Sequence, residues 1–416
     1  MKAVVVELDQ LVSRIKSDYR IQKKMEEPFS IIILTANPEK SITGVNGEFV
    51  LFQVLFECLL RLKSTEMDKK ELISVFQNSH KGNLIELDDI REFEQNYAPD
   101  KVLCWYTKES FFYRKLNIAL RTKDIQTIFL FRGFISDIHR QLKENQVKNS
   151  VQVYRAQKIS SDEFKALKES IGQYISINAF FSTSTDEKKA RAFLGDADTS
   201  SDLQRVLFEI HANPTMVTKK PFADISPFSD YDESEILFML GSIFHLQSID
   251  PDPIDDQIWI IRMSLCSDDE HDLQEVLVRV RKQTESGETD LRTLAKVLWK
   301  MGKYDLARKY LIRLLKELLP SDPLCGTVYE ELGDLAAQTG DTDGYTEWYK
   351  KACACESENQ SASILNRDQA NDSIGKLIER KFFIFELILN MNMNIFVSRK
   401  KHLRILKKRK VIRRRD

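Results

Sequence analysis

DYDESEILFML, residues 230–240, brings two carboxylates, Glu233 and Glu235, to the point where a polar loop gives way to an apolar run. The run predicts a strand, and strand residues i and i+2 point to the same face. The two acids then share one face at the strand's mouth. Like charges placed so are costly unless a cationic or electrophilic group sits between them. Two earlier stretches match in character. VQVYRAQ, 151–157, carries Arg155, and NAFFSTSTD, 178–186, carries Ser182, Thr183 and Ser184. An arginine, a serine and a Glu-x-Glu, each on a predicted strand and in that order, suit an anionic, sugar-containing cofactor and a cationic acceptor.

Each residue has a plainer reading as well. Arg155 offers five donors in a fixed fork suited to phosphate oxygens, or it makes a surface salt bridge. Arg132-Gly133 competes with it, but lies inside the apolar helical run FLFRGF and is set aside. Ser182 can bond a ribose or orient a carboxylate. Ser184 and Glu187 have capping-box spacing, so Ser184 is assigned to the next helix. Beside Glu233 and Glu235, the segment PFADISPFSDYD, 221–232, places Phe222, Phe228 and Tyr231 in a polar loop. Loops that set aromatics beside acids commonly bind partners, so Phe228 and Tyr231 become candidates for substrate recognition. No His or Cys stands near enough in sequence to suggest an activated nucleophile.

Working outward, VQVYRAQ, YISINAFFSTS, RVLFEIHA, ESEILFML and QIWIIRMSLC read as strands. SSDEFKALKESIG reads as a helix opened by a Ser160/Glu163 capping box, lined by Phe164, Leu167 and Ile171 and ended by Gly172. TDEKKARAFLG reads as a short helix. Upstream, KESFFYRKLNIALR and IQTIFLFRGFISDIHRQL predict two helices across 103–142, and FSIIILT, 29–35, predicts a buried strand. Short strands with helices grouped before and between them indicate an α+β fold.

A chain of 416 residues is long for one domain, and 42% hydrophobic content with 10% aromatics allows a sizeable core. The expected division is a small α/β region over 1–94, a catalytic domain over 95–270, a linker over 271–290, helical repeats over 291–360, and a helix with a basic tail over 361–416. Residues 398–416 carry eleven Lys or Arg against one Asp, while the whole chain sums to −1, so the body is mildly acidic. No nucleic-acid-binding stripe marks the body. The tail suits an anionic surface, whether lipid or nucleic acid, or a nuclear address. The six scattered cysteines imply no disulfide framework, and no metal is expected. MKAVVVELDQL lacks the form of a signal peptide, and 382–397 is too short and too polar to span a membrane. A cytoplasmic location is the expectation.

Arg155 in VYRAQ, Ser182 in FFSTS, and Glu233 and Glu235 in DYDESEILF together resemble the arginine-specific mono-ADP-ribosyltransferase family, the R-S-E class. YTKESFFYRKLNIALR, 106–121, is similar to that family's helical lead-in, and the resemblance covers about 95–268. The family usually has glycine after the arginine, where this chain has Ala156. The resemblance implies a split β-sandwich with a cleft for NAD, the ADP-ribose donor. It implies that Arg155 and Ala156 border the cofactor and that Ser182 orients the ribose and Glu235. Glu235 would stabilise the oxocarbenium-like transition state, Glu233 would deprotonate the acceptor guanidinium, and the loop 224–232 would recognise an acceptor protein. An NAD glycohydrolase using the same cleft, or a non-catalytic scaffold, are the alternatives. Residues 294–315 and 329–353 are two related units, with Gly302 and Gly340 at corresponding turns. They resemble tetratricopeptide repeats, which implies a surface for a protein partner.

Overall fold

The computed structural model describes residues 31–34, 45–108, 110–194, 203–216, 219–229, 234–267 and 290–361. Tyr231, Glu233, the segment 382–397 and the basic tail lie outside them. The chain divides into two compact units, Met1–Thr289 and Asp290–Asp416.

The described strands of the first unit are β1 (Ile31–Leu34), β2 (Val151–Ser160), β3 (Tyr174–Ile177), β4 (Phe181–Ser184), β5 (Leu203–Ala212), β6 (Phe222–Asp224), β7 (Glu235–Phe238), β8 (Ser242–Pro251) and β9 (Ile258–Leu265). They hydrogen-bond in the order β1-β3-β8-β9-β5-β2-β4-β7-β6. Neighbours run antiparallel except β5 and β9, which are parallel. β2 and β5 form the spine, in register from Val151↔Ala212 to Ser160↔Leu203.

Alternation along that spine sorts its two faces. Val153 and Ile159 join Val206, Phe208 and Ile210 in the main core. Ala156 and Leu207 face the other way, into a small cluster with Ala190, Leu194 and Ile258. Phe181 of β4 and Phe238 of β7 each meet Phe244 of β8, with ring centroids 6.0 and 5.5 Å apart. Strands well separated in the hydrogen-bonded order therefore touch through their side chains. The described strands thus form one hydrogen-bonded order, folded over so that its parts pack on each other through this core.

Two short crossings join its halves. YISINAFFSTS, expected as one strand, breaks at Asn178–Phe180 into β3 and β4, and these pair with different partners. Met239–Gly241 carries β7 into β8, a strand the sequence reading omitted, and the Gly241 amide donates to the Ile177 carbonyl at 2.7 Å. β1 pairs with β3 from Ile31↔Ile177 to Leu34↔Tyr174. The strand of the front segment thus belongs to the same sheet.

The helical layer also departs from expectation. Across 102–144 the chain forms Val102–Thr107, Phe111–Thr122, Ile125–Leu130 and Arg132–Glu144, rather than two helices. Lys108 is extended and ends the first of these. Phe93 sits in an aromatic nest, its ring 5.2 Å from each of Trp105, Phe111 and Phe112. The buried Arg132 pairs with the buried Asp68 at 2.5 Å, which gives that arginine a structural partner away from the strands. The Ser160/Glu163 capping box is present, but its helix ends at Lys168 and Ile171 is exposed rather than packed on its face.

In the second unit Leu291–Lys300 packs on Tyr304–Glu317, and Leu324–Thr339 packs on Thr342–Ser361. Gly302 (φ +71°) and Gly340 (φ +78°) occupy the left-handed region at the two tight turns, where a side chain would be strained. Among the described residues no helix is long and apolar enough to cross a membrane.

Candidate active site

The site begins where two strands part. β2 and β4 share one paired position, Tyr154↔Ser184. Away from that pair, the Arg155 side chain does what a ladder bond would otherwise do: its Nη1 donates to the Ser182 carbonyl at 2.8 Å. Its Nε donates to Gln157 Oε1 at 3.2 Å, and the guanidinium lies over the Phe181 ring, 5.2 Å from the centroid. Three contacts fix a cation at the edge of the split.

β4 buries Phe181 and Thr183 and turns Ser182 and Ser184 to the other face. Thr183 Oγ1 locks β4 to β7 by donating to the Ile236 carbonyl at 2.9 Å. Ser184 pairs with Glu235 in this ladder, so Ser182 is Glu235's diagonal neighbour on the same face. Ser182 Oγ donates to Glu235 Oε1. Glu235 is only 4% exposed. Its backbone is held as well: its amide donates to Ser226 Oγ at 2.8 Å, and its carbonyl accepts from the Ile225 amide at 2.9 Å.

The opposite wall is the helix Glu187–Ala192. Its N-cap is Asp186, whose Oδ1 accepts from Lys188 and Lys189 amides. The capping role expected of Ser184 therefore falls two residues later, because Ser184 Oγ instead accepts from the Asp186 amide at 3.0 Å. Arg191 bonds Glu187 at 2.7 Å and also Asp252, anchoring the helix to the segment that follows β8. Burial alone would raise the Asp252 carboxyl, but hydrogen bonds from Arg191 and the Ile254 amide hold it below the usual aspartate value. Burial, with Glu187 and Glu209 nearby, pushes the Tyr154 phenol up, so it stays a donor at neutral pH.

These walls line a crevice that opens to solvent. Arg155, Ala156, Ser182 and Glu235, singled out in the sequence, all line it, and Ser184 does too. Phe228 lies instead in the 3₁₀ turn Ser226–Phe228, part-buried and outside the lining. Sequence reasoning missed Tyr154, Lys189 and Phe193. A signal existed for the last two: Lys189 and Phe193 are four residues apart, on one face of a helix that directly follows the Ser-Thr-Ser strand. The lining offers two cations, Arg155 and Lys189, for a diphosphate, and the fixed carboxylate of Glu235 for a sugar hydroxyl or a developing positive charge. That donor set fits a dinucleotide.

Residues 91–263 match the family model described as ADP-ribosyltransferase exoenzyme. No curated protein matches the chain. Among solved structures, the chain is similar to Plx2a, an ADP-ribosyltransferase toxin from Paenibacillus larvae, at 16% identity over 46% of this chain and 97% of that one, with a TM-score of 0.33. The C3 exoenzyme of Clostridium limosum aligns at 17% identity over 41% of this chain and 85% of that one, with a TM-score of 0.32. Exoenzyme S from Pseudomonas aeruginosa, solved bound to Carba-NAD, aligns at 17% identity over 49% and 91%, with a TM-score of 0.30. The residues that line the crevice all fall within the span that the family model matches.

Proposed function

We propose that the chain is a mono-ADP-ribosyltransferase that moves ADP-ribose from NAD to arginine side chains of acceptor proteins and releases nicotinamide. The observation that carries this reading is the bond from Ser182 Oγ to the Glu235 carboxylate, in a crevice that Arg155 also lines. The match of residues 91–263 to the exoenzyme family supports it.

Arg155 and Lys189 bind the donor's diphosphate. Ser182 fixes one Glu235 oxygen, so the carboxylate meets the ribose without reorganising. Glu235 then stabilises the positive charge that grows on the sugar as the bond to nicotinamide breaks. Preorganised charge of this kind is usually the largest catalytic term. An arginine side chain is charged at any working pH, so the incoming nitrogen must lose a proton as its bond to the sugar forms. Glu233 takes that proton. Arginine as the acceptor rests on this second carboxylate in Glu233-Ser234-Glu235.

Incubation with labelled NAD and agmatine, a free guanidine, tests the assignment. Glu235→Ala is expected to lower label transfer by about 10²–10³-fold; equal transfer by variant and wild type would remove the reading. Glu233→Gln is expected to abolish transfer while NAD hydrolysis continues. Loss of both activities together would argue against an acceptor role for Glu233.

A further inference from the structure

Thr107 ends the helix Val102–Thr107 and is buried. Its Oγ1 donates to the Phe228 carbonyl at 2.9 Å, across 121 positions of sequence, and lies 3.1 Å from the Cys104 carbonyl of its own helix. A hydroxyl has one proton to give, and the shorter of these bonds leaves the helix. Beside it, the Tyr106 ring meets Phe180 edge-on, with centroids 5.2 Å apart. Phe180 directly precedes β4, which carries Ser182, and Phe228 lies in the turn that precedes β7, which carries Glu235. One short helix of the lead-in therefore touches both segments that feed the site.

The turn Ser226–Phe228 is also fastened from its far side. Ser226 Oγ accepts from the Glu235 amide at 2.8 Å and donates to Asp224 Oδ1 at 2.6 Å, and the Phe228 amide donates to the Ile225 carbonyl at 3.0 Å. Ser226 thus ties the turn to the catalytic strand, and Thr107 ties it to the helical layer. Thr107 stands outside the crevice lining, so its bond bears on the turn and not on the donor's contacts.

We propose that Thr107 is a positioning residue for the acceptor: it fastens the turn five residues ahead of Glu233, the acid that the reading above gives to the acceptor, while the crevice handles NAD. The inference rests on the arginine transferase reading above. Thr107→Val keeps the shape and removes the donor; Thr107→Ser keeps the donor. In the full chain, Thr107→Val is expected to raise KM for polyarginine about three- to tenfold. KM for NAD and the rate of NAD hydrolysis stay at wild-type values, and Thr107→Ser restores the acceptor KM. A parallel fall of transfer and hydrolysis, or an unaltered acceptor KM, overturns the proposal while leaving the transferase reading intact. Wild-type protein inert toward NAD overturns that reading, and the acceptor role with it. Hydrogen exchange reads the clasp without turnover: amides of 224–229 exchange faster in Thr107→Val and normally in Thr107→Ser, and unchanged exchange in the valine variant also overturns the proposal.

Discussion

Where the resemblance expects glycine, the methyl of Ala156 has a structural use. It packs with Ala190, Leu194 and Leu207 and is 8% exposed. Glycine there would empty part of this cluster and loosen the strand, at a cost of roughly 1 kcal/mol. Ala156→Gly is therefore expected to lower the melting temperature without lowering KM for NAD; a gain in NAD affinity would show that the methyl obstructs the cofactor. Arg155, Ser182 and Glu235 were legible because a polar residue of a telling type interrupts an apolar alternation at each position. Lys189 and Phe193 were legible only as a shared helical face, since spacing does not say what that face covers. Phe228 shows the same limit: an aromatic beside acids marks a candidate contact surface, while the hold that the lead-in helix has on its carbonyl leaves no mark in the local pattern.

The crevice wall Glu187–Ala192 is a short element, and isolated helices of this length are marginal. Its stability comes from the Asp186 cap, the packing of Ala190 and the Arg191–Asp252 pair. Asp252→Asn is expected to destabilise the first unit by about 2 kcal/mol and to raise KM for NAD more than it changes kcat. Because the Asp252 carboxyl is held below its ordinary value in the folded chain, its contribution is complete above that value and is lost as pH falls through the lowered one. The gap in stability between wild type and variant should therefore close below about pH 4. Denaturant titrations at several pH values measure it; a gap that widens in acid would contradict the pairing. Element boundaries were the less legible part of the sequence. Nothing in YISINAFFSTS marks Asn178 as the point where the strand changes partners, since the apolar alternation continues past it. The partners that decide the break, His245 opposite Tyr174 and Glu235 opposite Ser184, lie far along the chain.

On the scale of the molecule, the α+β class followed from the order of elements, but the folded-over sheet did not. Ile31 pairs with Ile177, and no local pattern announces a partner that distant. Since the chain separates into Met1–Thr289 and Asp290–Asp416, calorimetry is expected to show two transitions. NAD should raise only the one that belongs to the first unit, because a ligand stabilises what it binds. A single transition, or equal shifts in both, would show that the units unfold together. β1 carries one more implication. It lies along the outer side of β3, and a chain begun at residue 91, where the family match starts, would leave that side as a bare row of amides and carbonyls. Such rows recruit other strands. Among the described residues β1 is itself the end of that order, so shortening moves the sheet's edge from β1 to β3, and light scattering of the two chains over a dilution series compares how readily each edge joins copies.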